Sequence, residues 1–289
     1  MEEPKIHKEA VKELSELSDI TPAIEGVSTG TRLDELFFKV EKGKKKSLGG
    51  VPKGGVLNIV GVPESGKSVL VEQVAIHQAS LGSKILFITT ESPAAFLYTA
   101  LKGKAEAMGI DFSKIEGKMV VVDASMEERL REDLPSLLAT LKYAIKSRKT
   151  TICIVDSITG LYEHREIMAR SIVRRIYNLL KREMQTALLV SQKRSSQAME
   201  TPEAAGGLAV AHIVDGTIVL EKRIITTKFE ENLYGMSVGE ILRTLRIDGC
   251  RLCGHDPRPW VVRITDEGLI EIIEPLVDFI KRERKRGEK

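Results

Sequence analysis

Gly61-Val62-Pro63-Glu64-Ser65-Gly66-Lys67-Ser68 follows the apolar run 56–60 and precedes a second run that opens Val69-Leu70-Val71. The spacing is G-x-x-x-x-G-K-S between a strand and a helix, the context in which this pattern wraps phosphates. Glycines let the backbone turn tightly and aim several N–H groups inward, and the helix that follows adds its positive N-terminal end. In that geometry the loop residues Gly61 to Val69 line the phosphates and Lys67 bridges the β- and γ-phosphates. The Ser68 hydroxyl then sits on Mg2+. The stretch implies a bound nucleoside triphosphate.

Working outward, the pattern alternates strand and helix. Apolar runs predict strands at 56–60, 85–90, 119–123, 151–156 and 187–191, with helical spacing at 67–81, 94–108, 128–147 and 166–184. Strands separated by helices imply right-handed crossovers and a mostly parallel, buried sheet. After Ser191 the rhythm changes. Strand candidates at 213–222, 239–248, 260–265 and 268–273 follow without long helices, which predicts an antiparallel extension on one edge. The expected class is α/β, a mostly parallel central sheet flanked by helices with an antiparallel C-terminal extension. Residues 1–24 form an arm with apolar groups at helical spacing over 6–17, 25–274 the main domain, and 275–289 a C-terminal helix and basic tail. The basic stretch 42–46 is expected to be a solvated connector.

The composition is compatible with that fold and narrows little else. At 289 residues the chain can bury a large core. A net charge of +3 is too small to imply nucleic acid by itself. Three cysteines do not make a secreted disulfide framework. No apolar stretch reaches membrane-spanning length, and the start Met1-Glu2-Glu3-Pro4 is unlike a signal peptide, so a cytoplasmic protein is expected.

Three further polar residues close predicted strands. Asp156 ends 152–156, where a carboxylate can hold the waters around Mg2+ opposite Ser68. Glu91 follows 85–90, placed to polarise an attacking water, although a helix-capping acid before Ser92-Pro93 is the structural alternative. Gln192 follows 187–191, where an amide can sense the γ-phosphate and report its loss to the polar segment 193–208; an exposed loop residue is the plain alternative.

These elements resemble the RecA-like P-loop ATPases, and among them the KaiC-like branch found widely in archaea. The resemblance runs from about Gly26 to Glu274. Its residues are Thr29-Gly30-Thr31-Arg32-Leu33-Asp34-Glu35-Leu36, the phosphate loop, Thr90-Glu91-Ser92-Pro93, Val155-Asp156-Ser157, 211–220 and 242–256. The resemblance implies ATP as the nucleotide, with Mg2+, and hydrolysis in a homo-oligomeric ring, usually a hexamer, with each nucleotide between neighbours. It also implies that Arg251 reaches the neighbour's γ-phosphate in trans. Gly249 stands where that family carries a partnering Lys, which argues for weak hydrolysis rather than against binding. Thr90-Glu91 replaces two consecutive glutamates. The clock proteins of the family duplicate the domain and phosphorylate a Ser and a Thr. Here there is one domain, and 266–273 carries no such acceptors, so no clock kinase is expected.

Cys250-Arg251-Leu252-Cys253-Gly254-His255 has alternative readings. Cys-x-x-Cys-Gly is half of a zinc pattern with His255 as a third ligand; the others are a redox pair and two packing or interface cysteines. Function likewise divides. Besides the ring ATPase that switches itself or a docked protein partner, the alternatives are a DNA-active RecA-type protein and an ATP-sensing scaffold that hydrolyses little. Candidate DNA loops open at Lys193-Arg194 and at Tyr162 to Arg165, with little aromatic stacking.

Overall fold

In the computed structural model, residues 6–20, 23–193 and 210–287 are described. The principal sheet draws on nine strands: β1 (Val56–Gly61), β2 (Ile85–Thr89), β3 (Met119–Asp123), β4 (Ile152–Asp156), β5 (Thr186–Gln192), β6 (Gly216–Ile224), β7 (Ile241–Cys250), β8 (Trp260–Ile264) and β9 (Ile270–Pro275). Their order is β9-β8-β7-β6-β1-β5-β4-β2-β3. From β6 to β3 every pairing is parallel, and from β6 to β9 every pairing is antiparallel.

Alternation along each central strand splits the core into two layers, because successive side chains leave opposite faces. Leu57, Ile59, Phe87, Ile154 and Leu188 join helices α1 (Lys67–Ser80) and α2 (Ala94–Ala107) through Leu70, Val74, Leu97 and Leu101. Val56, Val60, Ile88, Val155 and Leu189 join α3 (Leu134–Arg148) and α4 (Ala169–Arg182) through Leu137, Leu141, Val173 and Ile176. Both faces of the parallel strands are thus apolar, which is why 152–155 and 187–190 read as continuous hydrophobic runs. A last helix, α5 (Leu276–Gly287), follows β9 directly, and Phe279 packs against the small cluster of Ile225, Leu242 and Val261.

Four local expectations need correction. The helical pattern 128–147 is two helices, Glu128–Glu132 and α3, because Asp133 leaves the helix and accepts from Ser136 N at 3.1 Å as the cap of the second, with Pro135 in its first turn. The pattern 166–184 opens as a 3-10 segment, Glu163–Met168, before α4 begins. The basic connector is the tip and second strand of a hairpin, Phe37–Glu41 with Lys44–Ser47. Its turn is Lys42-Gly43 with φ of 51° and 76°, both left-handed as a two-residue hairpin requires. The four residues of that second strand are all exposed, so no apolar alternation betrays it. Residues 6–17 do not form an amphipathic α-helix. Two 3-10 segments, Lys8–Ala10 and Leu14–Ile20, occupy the region, and Ile6, Val11 and Leu14 are exposed rather than packed.

The architecture leaves one functional edge. Parallel strands end on the same side, and the pairs Gly61↔Gln192, Asp156↔Val190 and Thr89↔Asp156 bring the ends of β1, β5, β4 and β2 side by side. Open parallel sheets bind ligands beyond such strand ends.

Candidate functional site

The phosphate loop leaves the sheet at Gly61 and enters α1 at Lys67. Gly61 has no room for a side chain: an added Cβ would lie 2.3 Å from Leu220 O on β6 and 2.6 Å from Ser65 Oγ. Gly66 caps α1 with φ 103°, a left-handed conformation that turns the loop onto the helix axis. Lys67 Nζ donates to Val62 O at 2.8 Å and so closes the loop on itself. The Lys67 ammonium is buried, and that burial lowers its pKa against the opposing pull of Asp156 and Glu91. Its positive charge is held next to two carboxylates, where an anionic ligand can take over the compensation. Glu64, whose φ is 60°, reaches across to Lys222 on β6 at 2.6 Å.

Asp156 is the last residue of β4 and is buried, with Oδ1 unpartnered. Burial raises its pKa to about 6; the neighbouring Glu91 and Glu72 add to the rise, while the Ser68 hydroxyl and Lys67 oppose it. An orphaned carboxylate oxygen beside a serine hydroxyl, among further carboxylates, is an oxygen donor set short of positive charge. It fits a hard divalent cation such as Mg2+.

That environment gives a stability prediction. A carboxyl whose folded pKa lies above its unfolded value stabilises the fold below the unfolded pKa, near 4, and loses that contribution as pH rises through about 6. At pH 7, without a cation, ionised Asp156 therefore opposes folding by as much as about 3 kcal/mol. Asp156→Asn is expected to raise the Tm of the ligand-free protein at pH 7. The advantage should vanish near pH 4, and magnesium-dependent nucleotide binding should be lost. Melting curves at the two pH values check this, and a variant less stable than wild type at pH 7 contradicts it.

Glu91 and Gln192 meet above β4. Gln192 Nε2 donates to Glu91 Oε1 at 2.7 Å, spanning from the end of β5 to the segment after β2. Gln192 is held in turn, its N–H donating to Thr159 Oγ1 at 3.0 Å, and the next N–H, of Lys193, donating to Gly61 O at 3.0 Å. The Glu91 carboxylate is thus an exposed group held by an amide, and the N-terminus of α2 takes a side-chain acceptor from Asp123, whose Oδ2 accepts from Ala94 N at 2.7 Å.

The structure brings together Gly61 to Val69, Asp156, Glu91 and Gln192. It does not bring Arg251 to them. Cys250 pairs with Gly216, which pairs with Leu57, whereas the loop begins at Gly61, opposite Leu220. Arg251 is therefore displaced from its own loop by about 13 Å along the strand direction, at the opposite end of the strands. There its N–H donates to Asp215 O at 2.7 Å and its Nη2 to His212 O at 2.9 Å. Nor does His255 complete a metal centre with Cys250 and Cys253. The two Sγ atoms are 3.6 Å apart, yet among the described residues no group of three His, Cys, Asp or Glu side chains is placed to hold a metal.

Two groups of residues that hold the site escaped sequence reasoning. Thr90 Oγ1 accepts from Ser157 N at 2.9 Å, tying β2 to β4 beneath Glu91; the Asp156–Ser157 peptide there is cis. Asp215, buried at the start of β6, accepts from Val56 N, Tyr177 Oη and Lys181 Nζ at 2.8, 2.9 and 3.0 Å, which anchors β1 from its far end. A lone Asp inside the apolar run 213–220 was the available signal for the second. The candidate DNA loop after Lys193 lies outside the described residues from Arg194 to 209, as do the side chains of His164, Arg165 and Glu166.

Comparison with known proteins agrees with this geometry. The pattern of the family described as "ATPase: KaiC" matches residues 27–277. A UPF0273 protein of Thermotoga maritima is 28% identical over 236 residues, 77% of this chain and 89% of that protein. One from Methanopyrus kandleri is 26% identical over 281 residues, 92% and 97% of the two chains. Among solved structures, a KaiC-like protein of Pyrococcus horikoshii superposes with a TM-score of 0.66 at 21% identity, covering 87% of this chain and all of that one. At that identity the likeness establishes the shared RecA-type fold alone. Among the described residues no helix is long and apolar enough to cross a membrane. With residues 27–277 inside the matched pattern and its phosphate loop at the end of β1, this chain is an ATP-binding P-loop protein and belongs to the KaiC ATPase family.

Proposed function

We propose that the protein is a Mg-dependent ATPase that acts in a homo-oligomeric ring, with each active site completed by Arg251 of a neighbouring copy. The observation that carries this reading is the convergence of Lys67, Ser68, Asp156, Glu91 and Gln192 on the ends of four adjacent parallel strands. When bound, Mg2+ neutralises phosphate charge; Ser68 and Asp156 are the residues that would hold it. Lys67 binds the β- and γ-phosphates, and the amides of the loop and of the first turn of α1 add their N–H groups. Glu91 accepts hydrogen bonding from the attacking water and polarises it. Gln192, by holding Glu91 at 2.7 Å, keeps that carboxylate facing the γ-position and links the strand end to the segment beginning at Lys193. A γ-phosphate that draws this amide away from Glu91 would release it back to Glu91 on hydrolysis, passing the change to that segment and through it to the ring or a docked protein.

The family resemblance gives Arg251 the in-trans role, and its place in the fold supports it. It lies at the end of the strands away from its own loop, a position that supports reach to a γ-phosphate in a second copy. Gly249 leaves it without the second basic group of the family, in keeping with slow turnover. Gly249 equally supports the scaffold reading, which single-turnover hydrolysis separates from the ATPase, and the candidate DNA loop after Lys193 lies outside the described residues.

Mixing variants tests the shared site. Arg251→Ala and Lys67→Ala should each hydrolyse ATP about 10²–10³-fold more slowly than wild type when alone. An equal mixture should recover about a quarter of wild-type phosphate release, the share of random neighbours that pairs an intact Lys67 with an intact Arg251. A mixture no faster than its components removes Arg251 from the neighbour's site, and an Arg251→Ala enzyme with full activity removes it from catalysis.

A further inference from the structure

We propose that Cys250 and Cys253 form a reversible dithiol–disulfide pair that exchanges with small-molecule disulfides, with Cys250 as the attacking thiol. Their Sγ atoms lie 3.6 Å apart in the turn after β7, both half-buried and both free thiols. The turn is anchored at each end. Cys250 pairs with Gly216 on β6, and Gly254–His255 pairs with Phe37 and Phe38 of the basic hairpin. A bond of about 2 Å therefore needs the sulfurs to approach by about 1.5 Å, within the reach of side-chain rotation at half-exposed positions.

The turn also makes the two sulfurs unequal. The Cys250 and Cys253 sulfurs are hydrogen-bond partners at 3.6 Å, and the backbone N–H groups of Leu252 and Cys253 also favour an ionised Cys250. The Cys253 contact, with those N–H groups, draws the Cys250 thiol down to about 6 although its burial works the other way. The same contact, with burial added, pushes the Cys253 thiol up and favours its protonated form. Exchange chemistry needs such a division, one sulfur ionised near neutral pH to attack and a second to resolve. Cys153, fully buried in β4 with its thiol raised to about 12, is an inert internal control.

In the first step Cys250 thiolate attacks a small disulfide, RSSR. An S–S bond forms to Cys250, the R–S–S–R bond breaks, and one RS− leaves and takes a proton from solvent. Cys253 then loses its proton and attacks Cys250 Sγ, forming the Cys250–Cys253 bond and releasing the second RS−. In sum, two thiols of the protein and RSSR become one protein disulfide and two RSH, the two electrons passing to RSSR. Arg251 sits between the cysteines, so closure fixes the turn that carries it. That link rests on the in-trans reading above, whereas the disulfide does not.

Two thiolates at this spacing also suit a soft cation, but among the described residues no third ligand joins them. The test uses the full chain, purified reduced and equilibrated with oxidised and reduced glutathione near neutral pH, then analysed by intact mass and peptide mapping. Wild type should lose two hydrogens, with Cys250 linked to Cys253 and reversal by dithiothreitol. Cys253→Ser should retain a glutathione adduct on Cys250. Cys250→Ser should form an adduct at Cys253 at least about 10-fold more slowly. Thermal melts verify that each variant is folded. The proposal is overturned if folded wild type keeps both thiols under excess oxidised glutathione, or if the chain purifies with bound zinc that protects both.

Discussion

Glu91→Gln is expected to slow hydrolysis of bound ATP by about 10²–10⁴-fold while leaving affinity for Mg-ATP unchanged or higher. The substitution keeps the shape of the side chain and its contact with Gln192, since an amide can still accept from Nε2 across the 2.7 Å gap. What it removes is the negative oxygen that draws a proton from water, together with one of the charges that raise the Asp156 pKa. The effect therefore falls on the chemical step and not on binding. Single-turnover hydrolysis beside wild type measures it. Equal rates would mean that Glu91 takes no part in the reaction and would favour the capping or scaffold readings.

Lys67→Ala should reduce affinity for Mg-ATP by at least about 100-fold, because a buried, preorganised ammonium makes charge-assisted bonds to two phosphates. Its effect on the empty protein runs the other way. Burial lowers the Lys67 pKa below its unfolded value, so at neutral pH the charged ammonium is a burden on the fold, one that fades only as pH rises toward the ordinary lysine range. The alanine variant should therefore melt no lower than wild type without ligand, while losing the rise in Tm that ATP gives wild type. Thermal shift with and without Mg-ATP reads both effects together. A variant that binds as tightly as wild type contradicts the role given to Lys67, and one that unfolds contradicts the account of its burial.

Much of the parallel half of the fold was legible because its strands bury both faces. The runs 56–60, 152–155 and 187–190 are apolar except for Asn58, and the ends of the last two locate Asp156 and Gln192 without further information. Glu91 was legible for the same reason, as the polar residue following β2. The hairpin Phe37–Glu41 with Lys44–Ser47 was not, since its second strand faces solvent at every residue and is held by pairing and by salt bridges of Glu41 with Lys39 and Lys46. The break at Asp133 was hidden because a capping Asp and a Pro in the first turn interrupt a pattern whose apolar spacing carries on across them. The Glu91–Gln192 contact, 101 residues apart in sequence, depends on β4 standing between β2 and β5. Strand order of that kind is a tertiary property, and no local spacing encodes it. The distance of Arg251 from its own loop is of the same kind, since it follows from the register that sets Cys250 against Gly216.

Calorimetric titration of the folded wild-type chain with ATP, with and without magnesium, is the most direct trial of all this. Saturable binding of one nucleotide per chain, weakened when magnesium is withheld, is the predicted result. Absence of any binding heat at several temperatures, from protein whose melting curve is cooperative and unmoved by Mg-ATP, would contradict it.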